Sequence, residues 1–171
     1  MSSTLNVITA LKTPGQSYPF EADTTIEKMQ VLGDPVEFTD VTARGEFMSS
    51  GERIDVDGEA KAIVVSRCAR CLKPVSEPIS APLHATFHRQ PDPEDPDQYC
   101  YEASKVELTD AIRDALVLEL PLRFLCKADC KGLCPKCGID LNTGSCTCQE
   151  GEDDLNPFAA LRSIVEYNEE V

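Results

Sequence analysis

The first half of the chain alternates between apolar and polar positions, as half-buried β-strands do. Val36, Phe38 and Val41 fall in one such stretch, and Ile54 and Val56 fall in the next. The β-branched run IVV that follows favours a buried strand. The segments SSGERI and DVDG have the composition of turns. The pattern therefore predicts an antiparallel, β-rich N-terminal half.

The stretch EPISAPLHATFHR predicts another strand, because apolar residues recur there on one face. Its prolines, Pro78 and Pro82, indicate an edge strand or a strand start, since proline donates no hydrogen bond to a ladder. The residues on the apolar face are Ile79, Leu83, Ala85 and Phe87.

In VELTDAIRDALVLELPL the apolar spacing changes to that of a helix. Leu108, Ile112 and Leu116 recur four residues apart and so lie on one face. Pro121 ends the pattern, because proline lacks the N–H group that a continuing helix needs. The sequence therefore predicts a helix near residues 107–120.

The closing stretch LNPFAALRSIVEYNEEV predicts a second, short helix. Asn156 is placed to cap its N-terminus, and Pro157 suits the first helical position. Phe158 and Leu161 fall on its apolar face. We take Asn156, Pro157, Phe158 and Leu161 as candidates for docking to a partner; packing of the same apolar face on the sheet is the alternative.

Acidic residues outnumber basic ones by thirty to sixteen, and the formal net charge is −14. This balance excludes a protein whose whole surface embraces nucleic acid, because phosphate binding needs clustered positive charge. The bases nevertheless gather around the cysteines. Arg70, Lys73, Lys131 and Lys136 are therefore candidates for RNA contact, although the same charges would also offset metal-bound thiolates.

The N-terminus lacks the pattern of a signal peptide, and the chain has no apolar run of about eighteen residues that would span a membrane. Both features predict a cytoplasmic location without membrane contact, where thiols stay reduced. The chain has nine cysteines, an odd number that fits poorly with a complete set of disulfides. All except Cys100 fall into closely spaced groups, which favours metal binding.

The segment CPKCG, with Cys134 and Cys137, has the spacing of a zinc knuckle. Gly138 permits a turn that a Cβ would hinder, so that backbone amides can approach the sulfur. The turn NTG brings the chain back towards Cys146 and Cys148. These cysteines predict one four-thiolate zinc site.

The other cysteines predict a second zinc ion, held by Cys68 and Cys71 of CARC together with Cys126 and Cys130. The last two are spaced to share one face of a helical turn. Closing this long loop costs about 3–4 kcal/mol, against about 10–16 kcal/mol from structural zinc binding in finger peptides. An alternative in which the CARC pair joins the CPKC pair stays open.

Other interpretations of the cysteines belong to different classes of protein. CPxCG with another CxxC is also the rubredoxin pattern, so iron is an alternative to zinc. A thioredoxin-like redox pair is disfavoured, because neither CxxC lies at a helix N-terminus in a βαβ unit. The sequence has no nucleophile elbow, phosphate loop or HExxH motif. We therefore expect no enzyme activity and no small-molecule substrate.

These elements predict an α+β chain in three parts. Residues 1–125 form a β-rich body with the mid-chain helix. Residues 126–150 form a cysteine-rich zinc-knuckle region that docks through Cys68 and Cys71. Residues 151–171 form an acidic linker and the short C-terminal helix.

Four segments of the chain occur in a characteristic order: CARCLKPV, the helix ending in LELPL, CKADCKGLCPKCGIDLNTGSCTC and NPFAALRSI. In these segments and their order the chain resembles the YceD family, which is named for large-subunit ribosomal RNA accumulation. The resemblance covers about the last two thirds of the chain. It implies a bacterial or plastid-type factor needed for synthesis, processing or stability of 23S ribosomal RNA. With such a role, the acidic surface indicates a basic partner, such as a ribosomal protein or a pre-ribosomal particle. Direct contact with ribosomal RNA is the alternative.

Overall fold

The computed structural model describes residues 3–90, 92, 94 and 98–148. The chain divides after Cys130 into two compact units, Met1–Cys130 and Lys131–Val171. The predicted three-part division at 125/126 and 150/151 stays a prediction. The predicted C-terminal helix and its docking candidates, residues 156–161, lie outside the described residues.

All helices and strands of the described residues belong to the first unit. In chain order they are β1 (Thr4–Asn6), α1 (Ile8–Lys12), β2 (Ser17–Thr24), β3 (Met29–Val31), β4 (Asp34–Ser50), β5 (Arg53–Arg67), β6 (Pro74–His88), β7 (Tyr99–Cys100), β8 (Lys105–Glu107) and α2 (Thr109–Leu118). The protein is β-rich with few helices, which agrees in part with the predicted α+β class.

The main sheet has the strand order β2-β4-β5-β6-β7, and β3 pairs with the beginning of β4. Its long strands pair antiparallel, as predicted, and only the short β7 runs parallel to its neighbour. Strands β1 and β8 form a separate antiparallel pair. The predicted turn in SSGERI is present, because Ser50 pairs with Arg53 across it.

A bulge in β4 explains a change of phase in its apolar pattern. Val36 and Phe38 stand at even positions, whereas Val41 and Ala43 stand at odd positions, yet all four are buried. The register with β5 shifts between Thr39 and Thr42. The additional residue in the bulge restores the direction of the side chains, so that one face of β4 packs on the core throughout.

The predicted turn at DVDG is wrong, because residues 55–58 lie inside β5. Gly58 stands opposite Gly45 of β4. A Cβ at Gly45 would lie 2.1 Å from the carbonyl oxygen of Asp57 and 2.5 Å from the Cα of Gly58. The glycine at the end of DVDG therefore allows two backbones to approach each other within the sheet and does not form a turn.

Helix α2 matches the predicted helix and packs on β5 and β6. Ile112 and Leu116 are completely buried, as the spacing predicted. Burying such a side chain contributes about 1.5–3 kcal/mol. The short α1 was not predicted, because five residues are too few to show a helical period.

Strand β6 confirms the predicted edge position over most of its length. Among the described residues, its outer side pairs only with the two residues of β7. Leu83, Ala85 and Phe87 are buried on its core face, as predicted, together with Ala81, whereas Ile79 is half-buried. None of the helices described here is both long enough and apolar enough to cross a membrane.

Candidate metal centres

The first cysteine cluster lies within the first unit and consists of Cys68, Cys71, Cys126 and Cys130. The four sulfur atoms lie within 4.8 Å of one another. Two of the distances are 3.5 Å, between the Sγ atoms of Cys71 and Cys126, and 3.8 Å, between those of Cys68 and Cys130. A tetrahedral zinc ion with bonds of about 2.3 Å would separate its sulfurs by roughly 3.8 Å. The cluster therefore has the dimensions of a four-thiolate metal site.

The loop between β5 and β6 brings the first cluster together. The N–H group of Ala69 donates to the carbonyl oxygen of Phe124 over 2.8 Å. The guanidinium of Arg70 donates to the carbonyl oxygen of Cys130 over 2.7 Å. These bonds hold the segment after α2 against the end of the sheet, and Cys68, Cys71 and Cys130 are buried there.

The predicted helical turn between Cys126 and Cys130 is wrong. No helix covers these residues, and the N–H group of Cys130 donates to the carbonyl oxygen of Lys127 in a tight turn. The carbonyl oxygen of Lys127, three residues back, takes the hydrogen bond that an α-helical turn would direct to Cys126, and the guanidinium of Arg70 donates to the carbonyl oxygen of Cys130 at the end of the turn. The segment nevertheless directs both thiols into one cluster.

The second cluster lies within the second unit and consists of Cys134, Cys137, Cys146 and Cys148. Its sulfur atoms also lie within 4.8 Å of one another. The predicted NTG turn is present, because the N–H group of Gly144 donates to the carbonyl oxygen of Asp140 over 2.9 Å. Cys134 is buried, whereas Cys137 and Cys148 are exposed.

The thiols group in the pairing that the sequence favoured, and the alternative that joins CARC to CPKC is not the one found. None of the nine cysteines, all of which lie among the described residues, forms a disulfide. Cys100 lies in β7 outside both clusters, and its side chain is exposed. Both clusters could therefore hold a metal ion, and zinc as that metal stays a prediction.

The two CxxC loops have the same backbone hydrogen bonds. In the first loop, the N–H of Leu72 donates to the carbonyl of Cys68 over 2.9 Å, and the N–H of Cys68 donates to the carbonyl of Lys73 over 2.8 Å. In the second loop, the N–H of Gly138 donates to the carbonyl of Cys134 over 2.9 Å, and the N–H of Cys134 donates to the carbonyl of Ile139 over 2.8 Å. Leu72 therefore occupies the position that Gly138 occupies in CPKCG.

Comparison with known proteins identifies the family. The family model described as Large ribosomal RNA subunit accumulation protein YceD matches residues 56–165, which is more than half of the chain. The chain belongs to the YceD family. The matched residues include both cysteine clusters and all of β6 and α2.

Several relatives resemble this YceD-family protein. An uncharacterized protein of Mycobacterium tuberculosis is 36% identical over 107 residues, covering 60% of this chain and 51% of the relative. The chloroplastic Large ribosomal RNA subunit accumulation protein YCED homolog 1 of Arabidopsis thaliana is 25% identical over 164 residues, covering 77% and 51%. The uncharacterized protein YlbN of Bacillus subtilis is 24% identical over 162 residues, covering 92% and 93%.

The chain spans about half the length of the mycobacterial and Arabidopsis relatives. No solved structure matches it.

Backbone amides surround one thiol in each cluster of this YceD-family protein. Burial acts to raise the pKa of Cys68, but the N–H groups of Cys126, Cys71 and Arg70 outweigh burial and lower that pKa to about 6. The N–H groups of Cys137 and Lys136 lower the pKa of Cys134 to about 6. Both thiols therefore favour the thiolate form that binds metals.

The thiols that lie beside these thiolates hold their protons more tightly. A hydrogen bond with the thiol of Cys71 raises the pKa of Cys126 to about 12. A hydrogen bond with the thiol of Cys137 raises the pKa of Cys148 to about 12 in the same way. A metal ion would have to displace these protons, so metal affinity should fall as the pH falls.

The four candidates for RNA contact are divided between the two units. Arg70 and Lys73 belong to the first unit, and Lys131 and Lys136 to the second. All four are exposed. The guanidinium of Arg70 also holds the segment at Cys130, a structural role that the sequence did not reveal. RNA contact by these residues stays a prediction.

Replacing Leu72 with glycine is expected to stabilise the first CxxC loop. Leu72 has a φ of 60°, in the left-handed region that side chains other than glycine adopt at a cost. Its side chain is 59% exposed, so its removal loses little packing. We expect Leu72→Gly to raise the free energy of unfolding by about 0.5–1 kcal/mol, measured by chemical denaturation of the metal-loaded protein.

The reverse change in the second loop is the matched control. Gly138 has a φ of 74°, and Gly138→Leu should weaken metal retention by the second cluster in a competition assay with a chelator. A destabilising effect of Leu72→Gly would contradict the equivalence of the two loops.

Proposed function

We propose that this YceD-family protein is a non-enzymatic accessory factor in biogenesis of the large ribosomal subunit. It promotes synthesis, processing or stability of 23S ribosomal RNA, and it acts through a basic protein partner. The observation that carries this proposal is the family match over residues 56–165. The Arabidopsis relative, whose name includes large ribosomal RNA subunit accumulation, supports it.

Zinc is the metal that we assign to both clusters. The sulfur–sulfur distances in the first cluster suit a tetrahedral ion. Backbone N–H groups directed at Cys68 and Cys134 provide the hydrogen bonds that zinc-bound thiolates accept. Four thiolates fill the usual coordination of zinc, so each ion would be structural, which supports a function in binding and not in catalysis.

The acidic surface supports a basic partner. Glu46 and Asp57 stand opposite each other on neighbouring strands and point away from the core, and Glu59 follows on the same face. This face and the net charge of −14 would attract a basic protein and repel a bare phosphate backbone. A ribosomal protein, free or within a pre-ribosomal particle, has the required charge.

The experiment is affinity purification of the tagged full-length protein with and without nuclease treatment. We expect basic ribosomal proteins to be recovered in both samples. The double variant Glu46→Gln, Asp57→Asn should recover less of them, and Lys61→Gln, on the same face, should recover at least as much. Unchanged recovery with the double variant would contradict a partner held by this face.

The second candidate function is direct RNA binding through the bases near the cysteines. If nuclease removes every partner, RNA binding replaces our first proposal. Substitution of Arg70, Lys73, Lys131 and Lys136 by alanine should then reduce RNA affinity and its dependence on salt.

A further inference from the structure

The outer edge of β2 leaves backbone groups that no strand in the described part of the chain uses. Ser50 and Arg53 flank a two-residue turn, so they form a hydrogen-bonded pair, and bonds to β5 alternate along β4 from there. The backbone N–H and C=O groups of Phe47, Gly45 and Ala43 consequently point towards β2. The N–H of Gly15 donates to the carbonyl of Ser49 over 2.9 Å, which confirms this phase.

The same alternation separates the two sides of β2. Tyr18, Phe20 and Ala22 bond to β4, so Ser17, Pro19, Glu21 and Asp23 direct their backbone groups outwards. Pro19 fits this position because it has no N–H to lose. Within the described residues, the outward N–H groups of Ser17, Glu21 and Asp23 have no partner. They are available to a further strand.

The opposite edge of the sheet is less open to such an addition. The N–H of Tyr101 donates to the carbonyl of His88. The backbone N–H and C=O groups of the even-numbered residues of β6 therefore point away from β5, to the outer side of the sheet. Pro74, Pro78 and Pro82 occupy outward positions and remove the donors that a new strand would need. Three of these outward positions on β6 are proline, against one on β2, so the sheet is better protected along β6 than along β2.

A cleft beside β2 has room for the side chains of an added strand. Its volume is about 420 Å³, and it lies between β2 and β1. The lining residues that matter here are Leu5, Asn6, Tyr18, Phe20 and Phe47. An extended segment on β2 would direct alternate side chains towards this cleft, where aliphatic groups would contact the half-buried ring of Tyr18, behind which Phe20 and Phe47 are buried.

The side chains on the other face of β2 select the charge of the added strand. Glu21 and Asp23 point to the solvent face, where Glu46 stands opposite Pro19 and Arg44 stands opposite Glu21, so acidic groups outnumber basic ones beside this edge by three to one. A second copy of β2 would place these carboxylates against one another, which is destabilising. Lysine or arginine at alternate positions of the added strand would pair with them.

We propose that β2 is a docking edge, to which an extended segment of alternating basic and apolar residues adds as a further strand. The inference rests on the proposed function, because the segment would belong to the basic protein partner. Main-chain hydrogen bonds to Glu21 and Asp23 would supply affinity, while the cleft and the carboxylates would supply specificity.

The test uses the full-length metal-loaded protein and the peptide acetyl-Lys-Val-Lys-Val-Lys-Val-Lys-amide. We expect binding with a Kd of about 100 μM or tighter. Hydrogen exchange followed by NMR should show the amides of Glu21 and Asp23 becoming protected at least about tenfold on binding. Absence of binding, or protection that appears elsewhere, would overturn the inference.

Variants distinguish the contribution of the backbone donors on the outer edge of β2 to peptide binding from that of the side-chain charges. Glu21→Pro removes one outward donor without breaking the ladder to β4, and should weaken peptide binding at least about tenfold. Glu21→Gln keeps the donor and should weaken binding less. Ser80→Pro makes the same change on the outer edge of β6 and should leave binding unchanged. Equal binding by wild type and Glu21→Pro would overturn the inference.

Melting temperatures show whether each variant is folded, and amide protection in the wild type tests the edge even if Glu21→Pro unfolds. Affinity purification then distinguishes this inference from the proposed function. If Glu21→Pro recovers as many basic ribosomal proteins as wild type, docking through β2 fails and the proposed function stands. If the peptide binds β2 but wild type recovers no basic ribosomal protein, the proposed function fails and the docking edge stands.

Discussion

Removal of the metal with a strong chelator is expected to lower the melting temperature of the purified protein by more than about 10 °C. The first cluster joins the loop before β6 to the segment after α2, and three of its four cysteines are buried. Without the metal, these thiols and their protons would stay in the interior with no ion to bind them. Thermal unfolding followed by circular dichroism measures the effect.

Single substitutions provide the controls for metal removal. Cys68→Ser should reproduce most of the loss in melting temperature, and Cys100→Ser, outside both clusters, should leave it unchanged. Metal analysis of the native protein should find about two zinc ions per chain. A chelated protein that melts at the original temperature would contradict the structural role, and a coloured protein would favour iron.

Gly45→Ala is expected to destabilise the protein by about 3 kcal/mol or more. The added Cβ would lie 2.1 Å from a backbone carbonyl oxygen of β5, and backbone in the middle of a long ladder cannot move aside easily. Chemical denaturation should show a lower midpoint with an unchanged slope, because the folded and unfolded states expose the same surface as before.

Gly51→Ala is the matched control for that substitution. Gly51 has a φ of 76° in the turn between β4 and β5, and no atom lies within 4 Å of the position that an added Cβ would take. Gly51→Ala should lower the free energy of unfolding by only about 1–2 kcal/mol, because alanine is strained at this φ. If Gly45→Ala cost no more than Gly51→Ala, the close approach of β4 and β5 would not be a constraint on the sequence.

The period of the apolar residues was sufficient to predict the long strands and α2. Alternation at Ile54 and Val56, and spacing of four at Ile112 and Leu116, follow directly from which faces are buried. The cysteine grouping was also predictable, because a four-thiolate site needs two pairs and the chain offers close pairs. These features depend on local spacing, which a single sequence contains.

Other features depend on contacts that local spacing does not reveal. Gly58 is in a sequence typical of a turn, but it lies opposite Gly45 in the ladder. The two backbones approach so closely there that neither position has room for a side chain. The segment Cys126–Cys130 has helical spacing, but it forms a tighter turn, closed by the N–H of Cys130 on the carbonyl oxygen of Lys127, and contacts Arg70 of the CARC loop. The apolar residues of β4 change from even to odd positions, but this change could be attributed to a bulge only once the register with β5 was known.

The prolines on the outer side of β6 also limit how copies of this protein could polymerise. Growth of a fibril by edge-to-edge stacking needs two complementary open edges on every molecule, so that each newcomer offers a site for the next. Pro74, Pro78 and Pro82 interrupt the donors of one of them. Two copies joined through β2 would therefore present β6 as their outer edges, where these prolines hinder the next addition.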